Sequence, residues 1–411
     1  MPSGPLDQTP HRESQLAYRF GVAWVFLLVG ASVGALLRLM TLAPQAGVVP
    51  GHVLHAHSHV AFLGWVLGAF FLAAQHHFVA PERSRSYDAL WWFMQLAVVG
   101  MLASFPAQGY GIVSITFSTL HLGASAVFAA RLWRETVAIP AARFHLRAAI
   151  VSLLLSAAGP LALGPLAALG LRDTAAYPLA IHFYLHFQTN GWFIFFLIAL
   201  WVQLAAKNGA SDGAHRYRLS GTLLVAGCVL SFALSALPQV PSAWLQGIAL
   251  AGGAAQLAGA AWLLAPRPSA KQPARRGIAA VLWRVVAAAF LLKLLLQFAV
   301  ALPSLSELAG QRFLVVAFLH LIALGLATPA LLLWAIERGW LRPGPLLTAG
   351  VTIYLAAVAV TEVVLVLPAT FALLGRPLGL PIPALLLAAA LALVVALTLI
   401  SATLRTRLAR S

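Results

Sequence analysis

The 411-residue chain is 61% hydrophobic and 9% charged, with a mean hydropathy of +0.91, which excludes an ordinary soluble globular protein. Long apolar runs separated by short polar breaks indicate a helical protein that crosses a membrane many times. The net charge of +16 comes mainly from residues in the breaks, so we expect a lipid bilayer as a partner and no nucleic acid. The single cysteine, Cys228, excludes an internal disulfide framework and a cysteine-ligated metal cluster.

Twelve apolar stretches are each near or above the ~20 residues that a helix needs to cross the hydrocarbon core of a bilayer. They cover residues 18–43, 53–75, 88–106, 110–134, 145–169, 177–206, 217–236, 243–265, 277–302, 311–337, 344–372 and 380–405. We therefore expect an all-α integral membrane protein with twelve transmembrane helices in one domain over residues 18–405. Polar tails over residues 1–17 and 406–411 flank this domain.

Basic residues are concentrated in every second loop, and both tails fall on the same side. These loops and tails contain Arg12 and Arg19; Arg83 and Arg85; Arg131, Arg134, Arg143 and Arg147; Lys207, Arg216 and Arg218; Arg267, Lys271, Arg275 and Arg276; Arg338 and Arg342; Arg405, Arg407 and Arg410. Because basic loops remain in the cytoplasm, we expect a multi-pass protein of the bacterial inner (plasma) membrane with both termini cytoplasmic.

Four histidines within eight residues open the second predicted helix: His52, His55, His57 and His59. Histidine is costly in hydrocarbon, so this cluster predicts a functional site in the outer half of the membrane. At 100° per residue, His52, His55 and His59 share a ~60° stripe of the helix. His57 projects from the other side. Neutral imidazole is a common ligand of haem iron and of copper.

A histidine followed five residues later by a glycine recurs in two further helices. The three pairs are His59 with Gly64 in helix 2, His186 with Gly191 in helix 6, and His320 with Gly325 in helix 10. The histidines are 127 and 134 residues apart, which predicts three concatenated four-helix units over about residues 18–134, 145–265 and 277–405. We expect these units to form a threefold pseudo-symmetric arrangement. Each glycine admits a flat porphyrin or a neighbouring backbone.

Two further features fit a metal or haem site in this half of the membrane. His182 and His186 are four residues apart on one face of helix 6, so they can chelate one metal. Arg38, at the outer end of helix 1, lies where haem propionates would emerge. The alternative roles are structural: hydrogen bonds between helices for the histidines, and snorkelling to the interface for Arg38. For His121 in helix 4, the structural role is the favoured interpretation.

Three short motifs resemble known membrane metalloproteins. The run from His57 to Trp65 is similar to the His-x-His-x4-Gly-Trp run that carries haem ligands in the cbb-type oxidases. The beginning of helix 2 and the run from His320 to Gly325 resemble the NnrS group of haem- and copper-containing membrane proteins. With twelve helices and histidines on helices 2, 6 and 10, the chain resembles subunit I of the haem-copper oxidases and nitric oxide reductases.

This resemblance implies a b-type haem with His59 and His320 as its axial ligands and His57 close by. It also implies copper or a second metal, or a second haem, held by His182 and His186 with His55. The chain departs from the oxidases, because helix 7 has no histidine and helix 10 has one instead of a pair. The oxidase motif also lies on helix 10, whereas here it lies on helix 2. A complete oxygen-reducing centre is therefore not implied.

We expect a haem-binding protein that acts in electron transfer or in the handling of nitric oxide or oxygen. It would be an oxidoreductase only in a restricted sense, with an electron-donor cytochrome, a quinol or oxidase subunits as partners. The alternative is a histidine-dependent metal or proton-coupled transporter without haem. Lys293 and Glu362, in helices 9 and 11, could form a buried pair, belong to a proton path or make a structural contact between helices, so we do not place them in the site.

Overall fold

The computed structural model describes residues 8–207, 214–265 and 275–405, and within these ranges it is helical with no β-strand. The twelve predicted spans are confirmed as helices α1 to α12. They are Arg12–Leu42, Pro50–His77, Arg85–Gln108, Ile112–Glu135, Pro140–Ala168, Ala176–Ala206, Arg216–Ala236, Ala243–Leu264, Gly277–Val300, Arg312–Glu337, Pro345–Leu373 and Ile382–Ser401. The helix that contains α1 already begins at Gln8, so part of the predicted N-terminal tail is helical. The predicted tail 406–411, and the loop residues Arg267 and Lys271, lie outside the described residues.

The packing order around the bundle repeats every four helices. Close antiparallel pairs are formed by α3 with α4, by α7 with α8, and by α11 with α12. The groups of four join where α4 contacts α5, α8 contacts α9 and α12 contacts α1, so the helices close into a ring. This order agrees with three consecutive four-helix units. The threefold rotation that would relate these units stays a prediction.

Helices α2, α6 and α10 are the most enclosed of the twelve. The ring of Phe70 in α2 stacks on that of Phe196 in α6, with centroids 4.5 Å apart. Trp65 Nε1 in α2 donates a hydrogen bond of 2.8 Å to Thr328 Oγ1 in α10. Helix α2 is therefore held against both other inner helices, and the three His-Gly pairs all lie on these inner helices.

Each inner helix contains one π-helical segment: Val60–Leu67 in α2, Phe187–Phe193 in α6 and Leu321–Ala327 in α10. Each segment begins directly after the histidine of its His-Gly pair, that is after His59, His186 or His320. A π-turn holds an extra residue, so it rotates the histidine-bearing part of the helix relative to the remainder. Hydrophobic patterning did not predict these segments.

Charged contacts tie α1 to its neighbours at the end of the bundle opposite the histidine cluster. Arg19 Nη1 lies 2.6 Å from Asp88 Oδ1 in α3 and 3.2 Å from Gln75 Oε1 in α2. Glu13 forms an ion pair with Arg338, the residue that follows α10. This end is the one whose loops were predicted to be cytoplasmic, although the orientation of the bundle in a membrane stays a prediction.

Candidate functional site

His57 in α2 turns towards α1 and α10. Its Nδ1 donates a hydrogen bond of 2.9 Å to the carbonyl oxygen of Gly30, so Nε2 keeps its lone pair. Gly34 permits this approach, because a Cβ at that position would lie 3.0 Å from His57 Cε1. His320 in α10 is an electrostatic neighbour of His57. The fold thus brings histidines from α2 and α10 to one place.

His320 lacks a protein partner at one ring nitrogen. Its Nδ1 is buried and has no hydrogen-bond partner among the described residues. Both His320 and His57 are nevertheless half-buried, so part of each side chain adjoins space that the helices do not fill. A buried polar atom without a partner indicates a group that the protein itself does not supply.

Arg38 places positive charge beside these two histidines. It is an electrostatic neighbour of His57 and His320, and also of Arg312 at the beginning of α10. Among the described residues, no carboxylate forms an ion pair with either arginine. Two neighbouring guanidinium groups without a carboxylate repel each other, so the pair favours an anionic group between them.

His55 and His59 lie on the other side of α2, as their shared stripe predicted. The His59 ring lies 4.5 Å from the ring of Phe105 in α3, and the His55 ring lies 4.5 Å from that of Tyr110, measured between centroids. His57 is two residues from His59 and therefore ~200° away around the helix. In the structure His320 therefore interacts electrostatically with His57 rather than with the predicted His59.

Both ring nitrogens of His186 in α6 have partners within the protein. Its Nε2 donates a hydrogen bond of 2.8 Å to the carbonyl oxygen of Cys228 in α7. Asn190 Nδ2 donates a hydrogen bond of 3.4 Å to its Nδ1. His182, one turn earlier, is hydrogen-bonded to the backbone of Ser235. These bonds hold α6 against α7, and they occupy both nitrogens of His186, whereas His182 Nδ1 has no partner among the described residues.

The predicted metal ligands do not converge on one site. Within the described ranges, no group of three or more His, Cys, Asp or Glu side chains is arranged to hold a metal ion. The five predicted residues instead fall in three places: His320 beside α1 and α2, His55 and His59 against α3, and His182 and His186 against α7. Spacing along one helix does not tell which neighbouring helix each histidine faces, so the role of these residues as metal ligands stays a prediction.

The three glycines of the His-Gly pairs admit neighbouring helices. A Cβ at Gly64 would lie 2.8 Å from Phe26 Cγ in α1, and a Cβ at Gly191 would lie 2.4 Å from Ser152 Cβ in α5. At Gly325 the nearest atom of another helix is Ala289 Cβ in α9, at 3.8 Å. Of the two predicted roles, close helix packing accounts for Gly64 and Gly191, and no porphyrin is needed to explain them.

Two buried residues outside the predicted site have notable surroundings. Lys293 in α9 is 1% exposed and donates a hydrogen bond of 3.0 Å to Gln256 Oε1 in α8. The suggested pair with Glu362 does not form, and Glu362 Oε1 has no partner among the described residues.

His121 in α4 is 2% exposed and is an electrostatic neighbour of His59. For Lys293 and for His121, the only signal in the sequence was a lone polar residue in an apolar stretch.

Comparison with known proteins adds no family to this picture. No protein-family model matches the chain, and no curated protein matches it. The resemblance to haem-copper oxidases therefore stays a hypothesis based on three short motifs and on the number of helices.

Proposed function

We propose that the protein binds a b-type haem between α1, α2 and α10, with His57 and His320 as the axial ligands. The observation that supports this most directly is the electrostatic interaction between these two half-buried histidines, which come from helices that are distant in sequence. His57 has the arrangement typical of a ligand, since its Nδ1–H is fixed by the Gly30 carbonyl and its Nε2 is available.

Arg38 fits the periphery of such a site. Haem propionates are anionic, and a guanidinium group binds a carboxylate through two parallel hydrogen bonds. Arg38 adjoins both histidines and the second arginine, Arg312. In this proposal Arg38 orients the haem by its propionates, and Gly34 leaves room for the His57 ring.

Electron transfer is the activity that this ligand pair favours. A bound haem iron supplies a one-electron redox couple. If both His57 and His320 held the iron, the haem would supply electron transfer rather than the binding of nitric oxide or oxygen. An electron-donor cytochrome or a quinol in the bilayer would be its partner, and an oxidase-related protein of the bacterial inner membrane would suit this role.

The test is an absorbance spectrum of detergent-purified protein in the oxidised and dithionite-reduced states, with a pyridine haemochrome assay. We expect sharp reduced α and β bands in the wild type and their loss in His57→Ala and in His320→Ala. His59→Ala and His145→Ala are matched controls that should keep the bands. A colourless wild type after expression with sufficient haem, or unchanged spectra in both ligand variants, would refute the proposal.

A transporter without haem is the second candidate, and the buried lysine in the α8–α9 region favours it. Lys293 is held by Gln256, which in turn donates a hydrogen bond of 2.8 Å to Ser231 Oγ in α7. Ionisable groups inside a membrane domain are typical of proton paths. A colourless protein whose proton or metal uptake into vesicles depends on Lys293 would favour this alternative over the haem protein.

A further inference from the structure

Lys293 in α9 is a buried basic residue that has no carboxylate partner in the described part of the chain. The residue is 1% exposed, and no ion pair among the described residues includes it. We propose that Lys293 and Gln297 bind a small monovalent inorganic anion, such as chloride, between α8 and α9. The site uses no histidine of α2 or α10, so it does not depend on haem binding.

Lys293 lies at one end of a hydrogen-bond network that joins α9 to α8 and α7. Its Nζ donates a hydrogen bond of 3.0 Å to Gln256 Oε1. Gln256 Nε2 donates hydrogen bonds of 2.8 Å to Ser231 Oγ and of 3.2 Å to the carbonyl oxygen of Gly227. Because a backbone carbonyl group can only accept, the Gln256 amide is fixed with its oxygen towards Lys293.

The rest of this network offers Lys293 no second acceptor. Ser231 Oγ donates a hydrogen bond of 3.1 Å to the carbonyl oxygen of Cys228, which also accepts the bond from His186 Nε2. A lysine ammonium group has three N–H donors, and the Gln256 oxygen takes one of them. The group that would complete the surroundings of Lys293 is therefore a hydrogen-bond acceptor and not a donor.

An unpaired ammonium group is costly at this position. Lys293 lies within the membrane-spanning helix Gly277–Val300, next to the buried residue Leu294. Burial of a charge without a counter-ion costs more than one hydrogen bond to a neutral amide returns. A bound anion would neutralise the charge and accept the remaining N–H groups in charge-assisted hydrogen bonds.

Gln297 supplies a second polar group on the same face of α9. It follows Lys293 by four residues, about one helical turn, so the two side chains are neighbours. Gln297 is 6% exposed, and its Oε1 has no hydrogen-bond partner among the described residues. Rotation of this amide by 180° would present its two N–H groups in place of the oxygen. Gln297 can therefore donate to an anion that Lys293 holds.

Close packing of α8 against α9 favours a small ion over a larger one. A Cβ at Gly253 in α8 would lie 2.9 Å from Cδ2 of Phe298, the residue after Gln297. A lipid headgroup or an organic acid would have to separate these helices, whereas a monatomic anion needs less space. Polar groups continue to the nearer end of the helix pair, where Gln246 of α8 donates a hydrogen bond to the carbonyl oxygen of Ala301.

The test is titration of the detergent-purified full chain with chloride at constant ionic strength, with gluconate as the replacement anion. We expect the unfolding temperature to rise with chloride and to saturate, because a ligand of the folded state stabilises it. The magnetic resonance line of chloride should broaden in the presence of the wild type. Lys293→Met keeps the length of the side chain without its charge and should lose both effects. Gln297→Leu keeps the bond between Lys293 and Gln256, so it should fold normally and weaken chloride binding by about tenfold.

Gln95→Leu is the matched control, because Gln95 in α3 is another buried glutamine whose amide has no partner among the described residues. This variant should respond to chloride like the wild type. A wild type without either response, a Lys293→Met variant that responds like the wild type, or unchanged chloride affinity in Gln297→Leu would overturn the proposal. Proton uptake that depends on Lys293, in a protein without a chloride response, would also overturn it and would assign the lysine to a proton path.

Discussion

At the scale of single residues, neighbouring histidines of α2 have different surroundings. His57 bonds to the α1 backbone at Gly30, whereas His59 packs against Phe105 in α3. The two rings are separated by only one residue in sequence, yet they face different helices because each residue advances by 100° around the axis. A role assigned to the cluster as a whole would therefore miss that its histidines face different helices.

Gly191 is the residue whose replacement should disturb packing most directly. A Cβ there would lie 2.4 Å from Ser152 Cβ, an atom that moves only with the α5 backbone. We expect Gly191→Ala to lower the free energy of unfolding by about 1–3 kcal/mol through overpacking. Thermal unfolding in detergent, monitored by circular dichroism, measures the effect.

Gly123→Ala provides the control, since no atom lies within 4 Å of the Cβ that would be added in α4. This change should leave stability unaltered or raise it by about 0.5–1 kcal/mol, because alanine is the better helix former. Equal melting temperatures for both variants would show that α5 and α6 are not packed as described.

At the scale of elements, the π-segments connect local sequence to the candidate sites. Each begins after one histidine of the inner helices, and the segment of α10 directly follows His320. The carbonyl oxygen of Ala323 within it accepts a bond of 2.8 Å from Thr328 Oγ1, which also receives the Trp65 bond from α2. The part of α10 that follows the π-segment is thereby anchored while the π-turn sets the direction of His320.

Deletion of Ala323 should convert the π-segment of α10 into regular α-helix. The part of the helix that carries His320 would then rotate by ~100° relative to Thr328. We expect loss of the low-spin haem spectrum from a protein that still elutes as a folded species in size-exclusion chromatography. Deletion of Gln45 in the α1–α2 loop is the control. A haem spectrum that survives the Ala323 deletion would show that the π-turn does not direct His320.

At the scale of the whole molecule, the ring of twelve helices places all these histidines in one half of the bundle. The charged contacts of Arg19 and Glu13 lie at the other end. If the basic loops are cytoplasmic, these histidines lie in the outer half of the membrane, and a haem at the proposed site would exchange electrons on the outer side.

Orientation can be tested by labelling introduced cysteines with a membrane-impermeant maleimide. The native Cys228 is 3% exposed, so its background should be low. We expect Gln45→Cys, in the α1–α2 loop, to react in spheroplasts. Glu82→Cys, in the α2–α3 loop, should react only after lysis. The reverse pattern would place both termini outside and invert the assignment of every loop.

The sequence by itself determined the class of the fold, the twelve spans and the half of the bundle that holds the histidines. The fold class and the spans follow from the hydropathy of each segment alone. The half of the bundle follows because successive transmembrane helices alternate in direction. Only the tertiary structure decided that His57 rather than His59 interacts electrostatically with His320, and that His186 is bonded by α7. These contacts depend on which helices are neighbours and on the rotation about the helix axis that a π-turn introduces. Neither can be read from the hydrophobic periodicity of a single helix.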